Sequence, residues 1–208
     1  MVSGCLARVV YSDVKRNFLV HYIVAMGILL VSPIFFSLSQ LDSILAAQPL
    51  EVYVPLIGII LMTPVYLPEQ NESIDDVVRS KKIDHDIVCV LRLVCSVVVI
   101  LCMIGAYVLY MKHCGSQVTI MHFIGSLATA LLLGAIGFIF AGISRNVITG
   151  YMASVIYYIL NFSFSKKLGY FYLFSMMHGS FIEKTWLILV AFCMVAATFL
   201  LRRIIRNI

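Results

Sequence analysis

Charged side chains are scarce in this chain. Asp, Glu, Lys and Arg make up 12% of its 208 residues, whereas apolar residues reach 62%. In a soluble domain about 25% of the residues are charged. With a mean hydropathy of +1.03, the chain has too few polar groups to cover a water-facing surface. This excludes a soluble enzyme, a disordered regulator and a nucleic-acid-binding protein. We expect an all-α, polytopic membrane protein surrounded by lipid bilayer.

Motifs that carry chemistry are also missing. The six cysteines form no CxxC or CxxH pair, and neither HExxH nor a GxxxxGKS or GxxxxGKT loop occurs. We therefore predict no catalytic residue, no metal site and no phosphate-binding loop. An intramembrane serine–histidine dyad of Ser144 and His178 is the enzymatic alternative, although the sequence around Ser144 lacks a nucleophile motif. If ATP drives this protein, another polypeptide binds it.

Apolar runs supply most of the chain. A transmembrane helix needs about 20 apolar residues, and six runs approach that length, at 18–39, 51–68, 87–111, 118–143, 147–165 and 185–201. We read residues 1–208 as a single six-span transmembrane domain with no room for a soluble one. The basic stretch 1–17 predicts an interfacial amphipathic helix, with a frayed terminus as the alternative. The aromatic-rich segment 168–181 is too short to span, which predicts a re-entrant or interfacial piece on the outer face.

The basic residues predict the orientation, because Lys and Arg accumulate near span ends on the cytoplasmic side. With a cytoplasmic N-terminus, four lysines lie outside: Lys112, Lys166, Lys167 and Lys184. The other basic residues lie inside: Arg8, Lys15, Arg16, Arg79, Lys81, Lys82, Arg92, Arg145, Arg202, Arg203 and Arg206. This bias predicts that both termini are cytoplasmic.

Small and polar residues form stripes along two spans. In the fourth span, a small-residue stripe predicts close helix packing, with a dimer contact as the alternative. It consists of Ser126, Ala130, Gly134 and Gly137. In the fifth, a polar stripe suggests a protein contact or a translocation path and consists of Gly150, Ser154, Tyr157 and Asn161. We expect no acidic or basic residue near the middle of a span, which argues against a proton-driven pump and a voltage sensor.

The polar loop 69–86 is the most informative stretch. Ser73 can cap a helix whose first turn is acidic and whose last turn is basic, which the helix dipole favours. Ile74, Val77 and Val78 fall on one face of that helix. Such a helix is suited to dock into a groove of a soluble partner, and a solvated loop helix is the alternative.

These features together resemble the permease subunits of type-2 ABC exporters. The resemblance rests on the interfacial stretch 1–17, on Pro68 and Glu69 before the loop helix, and on segment 168–181, which is similar to the re-entrant helices of that family. It implies that loop 69–86 is a coupling loop. The implied ATPase contacts are Glu69, Glu72, Ile74, Asp75, Asp76, Val77, Val78 and Arg79.

The resemblance also implies partners and a location. A six-span chain would be half of a permease, working with a second copy or a paralogous half in the plasma membrane. ATP and magnesium would bind a separate P-loop ATPase subunit, and this chain would hold no cofactor. The apolar, lightly polar face of the fifth span and the aromatic segment 168–181 favour an amphipathic peptide or a hydrophobic small molecule as the substrate. The alternative is a non-transporting membrane interaction protein, such as a bacteriocin immunity protein or a sensor partner.

Overall fold

The computed structural model describes residues 18–70 and 85–207. Within these ranges every regular element is helical and no strand occurs. The predicted interfacial stretch 1–17 and most of the predicted coupling loop lie outside these ranges. The described residues form seven α-helices: α1 (Leu19–Phe35), α2 (Ser43–Gln48), α3 (Leu56–Met62), α4 (His85–His113), α5 (Ile120–Ser144), α6 (Val147–Phe164) and α7 (Ile182–Asn207).

The all-helical, membrane-type fold predicted from composition is confirmed. Five helical stretches of the described residues are long and apolar enough to cross a membrane. They are Ser43–Pro68, Ile87–His113, Ile120–Ser144, Val147–Phe164 and Ile182–Ile204. The remaining apolar helix, α1, has 17 residues, which is at the short end of the range for a span. The number of crossings and the orientation of the termini stay predictions.

The second helical pass begins at Ser43 rather than at the predicted 51. It consists of α2, a π-helical turn (Pro49–Tyr53), α3 and a 3-10 helix (Thr63–Gln70). Pro55 has no N–H to donate to the carbonyl of residue 51 and its ring crowds that carbonyl, so the regular α-helical pattern cannot continue there. The turn instead closes with a hydrogen bond from Val54 N to Pro49 O of 3.0 Å. Pro49, which precedes the predicted span 51–68, therefore lies inside this continuous helical pass.

Helix α5 forms the centre of the bundle, since both the second pass and α6 pack closely on it. A Cβ atom on Gly58 would lie 2.0 Å from the Ala130 carbonyl oxygen, and one on Gly150 would lie 2.4 Å from that of Gly137. These distances are shorter than any van der Waals contact, so only glycine fits at either position. By contrast, α6 and α7 are mostly exposed along their outer faces.

The connections between passes divide the bundle into two ends. Gln117 N donates to Leu41 O at 2.9 Å, and the ring of Phe181 packs edge-on against His122. The connections 36–42, 114–119 and 165–181 therefore share one end, which we call the linker end. The opposite end, which we call the loop end, carries residues 63–70, the turn between α5 and α6, and the C-terminal part of α7.

Candidate functional site

A buried ion pair lies at the linker end. The Glu51 carboxylate, on the π-helical turn, is 2.5 Å from the Lys184 ammonium on α7. Glu51 is 0% exposed and Lys184 is 2% exposed. A buried charge is costly unless it is paired and hydrogen-bonded. The predicted spans put Glu51 at the edge of a span and Lys184 on the outer face, whereas both are buried inside the helical bundle.

All three N–H donors of the Lys184 ammonium group have acceptors. It donates to the Glu51 carboxylate, to Thr129 Oγ1 on α5 at 2.9 Å, and to the carbonyl oxygen of Leu173. An ammonium group has three N–H donors, and three acceptors meet them here. Lys184 therefore joins the second pass, α5 and the linker at one point.

The carboxylate of Glu51 is satisfied in the same way. One oxygen accepts the backbone N–H of Met176 at 2.8 Å, and the other accepts that of Met177 at 2.9 Å. These two N–H groups begin a short 3-10 helix (Met176–His178), where no intrahelical carbonyl is available to them. Glu51 therefore caps the N-terminus of this 3-10 helix.

The π-helical turn that presents Glu51 is supported by α6. Tyr158 on α6 donates its hydroxyl to Val52 O at 2.5 Å. A π-helical turn leaves backbone groups out of the normal pattern, and such turns are frequent at functional sites. The hydrogen bond from Tyr158 to Val52 O therefore holds the turn next to Glu51 in place.

The linker 165–181 is folded into the bundle rather than spread over it. After a 3-10 helix (Ser165–Phe171), the buried Leu173 donates its N–H to Asn161 Oδ1 at 2.9 Å. Phe174 is also buried and contacts Phe162, with 4.6 Å between ring centroids. Tyr170 and Phe171 stay exposed. Of the aromatic residues in this segment, Phe174 therefore anchors the linker inside the bundle.

A second polar cluster holds the other two connections of the linker end. His122 is buried, and its Nε2 lies 3.0 Å from Ser43 O while its Nδ1 lies 2.7 Å from Thr119 Oγ1. Nearby, Ser116 donates its hydroxyl to Leu38 O at 2.7 Å. With the ion pair, this cluster fixes all three connections of the linker end.

A cavity of about 460 Å³ opens beside the linker. Its walls carry phenol, hydroxyl, imidazole and carboxylate groups, from Tyr170, Tyr172, Ser175, His178, Ser180 and Glu183. Glu183 accepts a hydrogen bond of 2.5 Å from the Ser180 hydroxyl. Burial, and secondarily the nearby negative charge of Glu51, raise the pKa of the Tyr172 phenol. Tyr172 is therefore a neutral hydrogen-bonding group at physiological pH.

The predicted stripe of α6 lies against other parts of the chain. Ser154 is buried and donates to Leu133 O of α5 at 2.9 Å, and Asn161 is buried with both of its amide atoms bonded, to Tyr157 O and to Leu173 N. Tyr157 is partly buried and donates to Phe171 O at 2.8 Å. In this structure the stripe contributes to packing, and its role in a translocation path stays a prediction.

The predicted packing stripe of α5 meets the second pass and α6. Gly134 lies against Met62, Gly137 against Thr63 and Ser154, and Ala130 against Gly58. Ser126 is also buried, and its hydroxyl has no hydrogen-bond partner among the described residues. The two stripes predicted separately thus face each other around Gly137 and Ser154.

The remaining predicted sites are not brought together. Ser144 ends α5 at the loop end, whereas His178 lies in the linker. His122, beside the linker, is about 33 Å along α5 from Ser144 at 1.5 Å per residue, which separates the proposed dyad. Of the residues predicted to contact an ATPase, Glu69 falls in the 3-10 helix (Thr63–Gln70). The others, Glu72 and 74–79, lie outside the described residues.

The Glu51–Lys184 pair and its partners are not among the sites predicted from the sequence. The available signal was that each charge is next to a long apolar run and that their signs are opposite.

No family model, no curated protein and no solved structure matches this chain.

Proposed function

We propose that this chain is the transmembrane half of an ATP-driven exporter of the type-2 ABC class. It would form the translocation path with a second six-span subunit and couple to a separate P-loop ATPase through loop 69–86. The proposed cargo is an amphipathic peptide or a hydrophobic small molecule. On this proposal the linker end faces outward and the loop end faces the cytoplasm.

The observation that carries the proposal is the linker between α6 and α7. It consists of two short 3-10 helices folded between long apolar helices, which resembles the re-entrant helices of the family. The Glu51–Lys184 pair fixes this linker to the second pass. A linker spread along a membrane surface would need no such buried anchor.

The second pass supplies a mechanical route from the ATPase to the linker. At the loop end it runs directly into the coupling loop, and at the linker end it presents Glu51 to Met176 and Met177. At the loop end, Tyr66 also stacks on Phe138 of α5 and carries the guanidinium of Arg202 over its ring at 4.3 Å. A push on loop 69–86 would therefore be transmitted to α5, to α7 and to the linker.

A paired charge reversal in the coupling loop tests the proposal. Asp76→Lys combined with Arg79→Glu keeps the net charge but inverts the predicted docking helix. We expect loss of export, measured as cellular resistance to a panel of amphipathic peptides and hydrophobic drugs, with unchanged membrane expression. Lys82→Glu combined with Asp84→Lys is the matched control, since it inverts a charge pair beyond the predicted contact residues. Export that survives the first variant contradicts docking through this helix.

A further inference from the structure

The cavity beside the linker has the chemistry of a ligand site. Two phenol rings and a partly buried carboxylate line it, from Tyr170, Tyr172 and Glu183. Ser175 lines it as well; it is 3% exposed, and its hydroxyl has no hydrogen-bond partner among the described residues. Buried hydroxyl groups normally have hydrogen-bond partners. A molecule bound in the cavity would provide the partner that the Ser175 hydroxyl lacks.

The charge around the cavity is negative. Lys184 is next to Glu183 in sequence, but its ammonium is bound to Glu51, Thr129 and Leu173. None of the described residues lining the cavity is a Lys or Arg. Among the described residues, Glu183 accepts one hydrogen bond, from Ser180, while a carboxylate accepts several. Glu183 and Lys184 attract each other, but the N–H groups of Lys184 are bound to other acceptors. The cavity therefore presents a carboxylate with open acceptor positions between aromatic walls.

From these features we propose that the cavity binds an ammonium group, with Glu183 as its counter-ion and Tyr170 and Tyr172 as its aromatic walls. Carboxylates and aromatic faces both attract organic cations. An anion would meet the Glu183 charge, while Lys184, the cation that acts on Glu183, is already paired with Glu51. Binding at this site requires neither an ATPase nor a second subunit, so the inference stands or falls separately from the proposed function.

The chain contains its own optical reporter for this site. Trp186 is the single tryptophan, and its ring lies 5.8 Å from that of Tyr170 between centroids. A dansyl group held in the cavity would accept excitation energy from it. Dansylcadaverine joins such a group to a primary ammonium and is the probe we choose. Its N-acetylated form is the matched neutral probe.

The experiment titrates both probes into the full-length chain in maltoside micelles, which contain no ammonium group. We expect saturable energy transfer from Trp186 to dansylcadaverine and about fivefold to tenfold weaker binding of the acetylated probe, as loss of a charge-assisted contact implies. Glu183→Gln should weaken dansylcadaverine to the same extent and leave the acetylated probe unchanged. Asp42→Asn removes an exposed carboxylate from the linker end outside the cavity and should change neither.

Two competitors then distinguish the source of the ammonium. Displacement by trilysine identifies a soluble peptide side chain, and displacement by phosphatidylethanolamine added to the micelles identifies a lipid headgroup. The proposal is overturned if neither competes, if both probes bind the unmodified chain equally, or if Glu183→Gln and Asp42→Asn behave alike. The comparison of the two probes needs no variant, so misfolding of Glu183→Gln would not obscure the result.

Discussion

Glu51 and Lys184 meet within 2.5 Å although they lie on different passes of the bundle. Their pairing settles where the linker can lie, because the carboxylate also accepts two backbone N–H groups of the linker and the ammonium donates to a third linker residue. The pair is thus part of a hydrogen-bond network whose donors and acceptors are matched. It stabilises the position of a segment that has little regular structure of its own.

Removing one member of the pair should strongly destabilise the fold. Lys184→Met leaves Glu51 buried without a counter-charge, which costs about 3–5 kcal/mol. We expect Glu51→Gln to be costly as well, and the double variant to lose less than the sum of the two. Unfolding by SDS in mixed micelles measures these free energies. Asp42→Asn is the control, and additive losses in the double variant would show that the two charges do not interact.

The linker should loosen when its anchor on α6 is removed. Asn161→Leu deletes the acceptor of the Leu173 N–H, and an unsatisfied buried N–H costs about 1–3 kcal/mol. We expect faster hydrogen exchange in peptides covering 172–178, measured by mass spectrometry. Asn146→Ala, at the exposed loop end of α6, should leave those peptides unchanged. Equal protection of these peptides in the unmodified chain, Asn161→Leu and Asn146→Ala would contradict the contact between Asn161 and the linker.

Glycines at the centre of the bundle should resist enlargement. A Cβ atom on Gly150 would overlap the Gly137 carbonyl and the Thr63 methyl group, so Gly150→Ala should cost about 1–3 kcal/mol through overpacking. Gly27→Ala is the matched control, because a Cβ atom there meets nothing within 4 Å and alanine favours a helix by up to about 1 kcal/mol. The thermal unfolding temperature, followed by size-exclusion chromatography, should therefore fall in Gly150→Ala and rise in Gly27→Ala. A stabilising Gly150→Ala would contradict the close contact.

The contact between Tyr66 and Arg202 should be measurable at the loop end. The guanidinium lies 4.3 Å from the ring centroid, and such a pair contributes about 0.5–2 kcal/mol. We expect Arg202→Gln to destabilise the protein by this amount and Arg203→Gln, an exposed neighbour, to have little effect. SDS unfolding in mixed micelles compares them. If Tyr66→Leu removes the difference between the two arginine variants, the tyrosine ring is the partner.

The sequence predicted the helices well because their signal is repeated along many residues. The run from Ile120 to Ser144 contains enough apolar residues that no single residue decides its assignment. The facing stripes were also visible, since Gly137 and Ser154 recur at helical spacing with other small residues. Composition and periodicity are sufficient for features of this kind.

The ion pair and the linker could not be predicted, because each depends on one tertiary arrangement. The predicted second span begins at residue 51, and only the structure shows that the helical pass includes Gln48 and Pro49. Lys184 has a positive charge near a span end, which orientation rules assign to headgroups or water. Its burial requires Glu51, Thr129 and Leu173 to lie around the same ammonium group. No local sequence pattern predicts this tertiary arrangement.

The most direct test of the account is to identify what assembles with this chain in its native membrane. The tagged chain is extracted in mild detergents and its stoichiometric partners are identified by mass spectrometry, with the Asp76→Lys/Arg79→Glu and Lys82→Glu/Asp84→Lys variants in parallel. The account predicts a P-loop ATPase near a one-to-one ratio, lost in the first variant and kept in the second. Recovery of the chain without an ATPase in every detergent would contradict the exporter assignment and favour a non-transporting interaction protein.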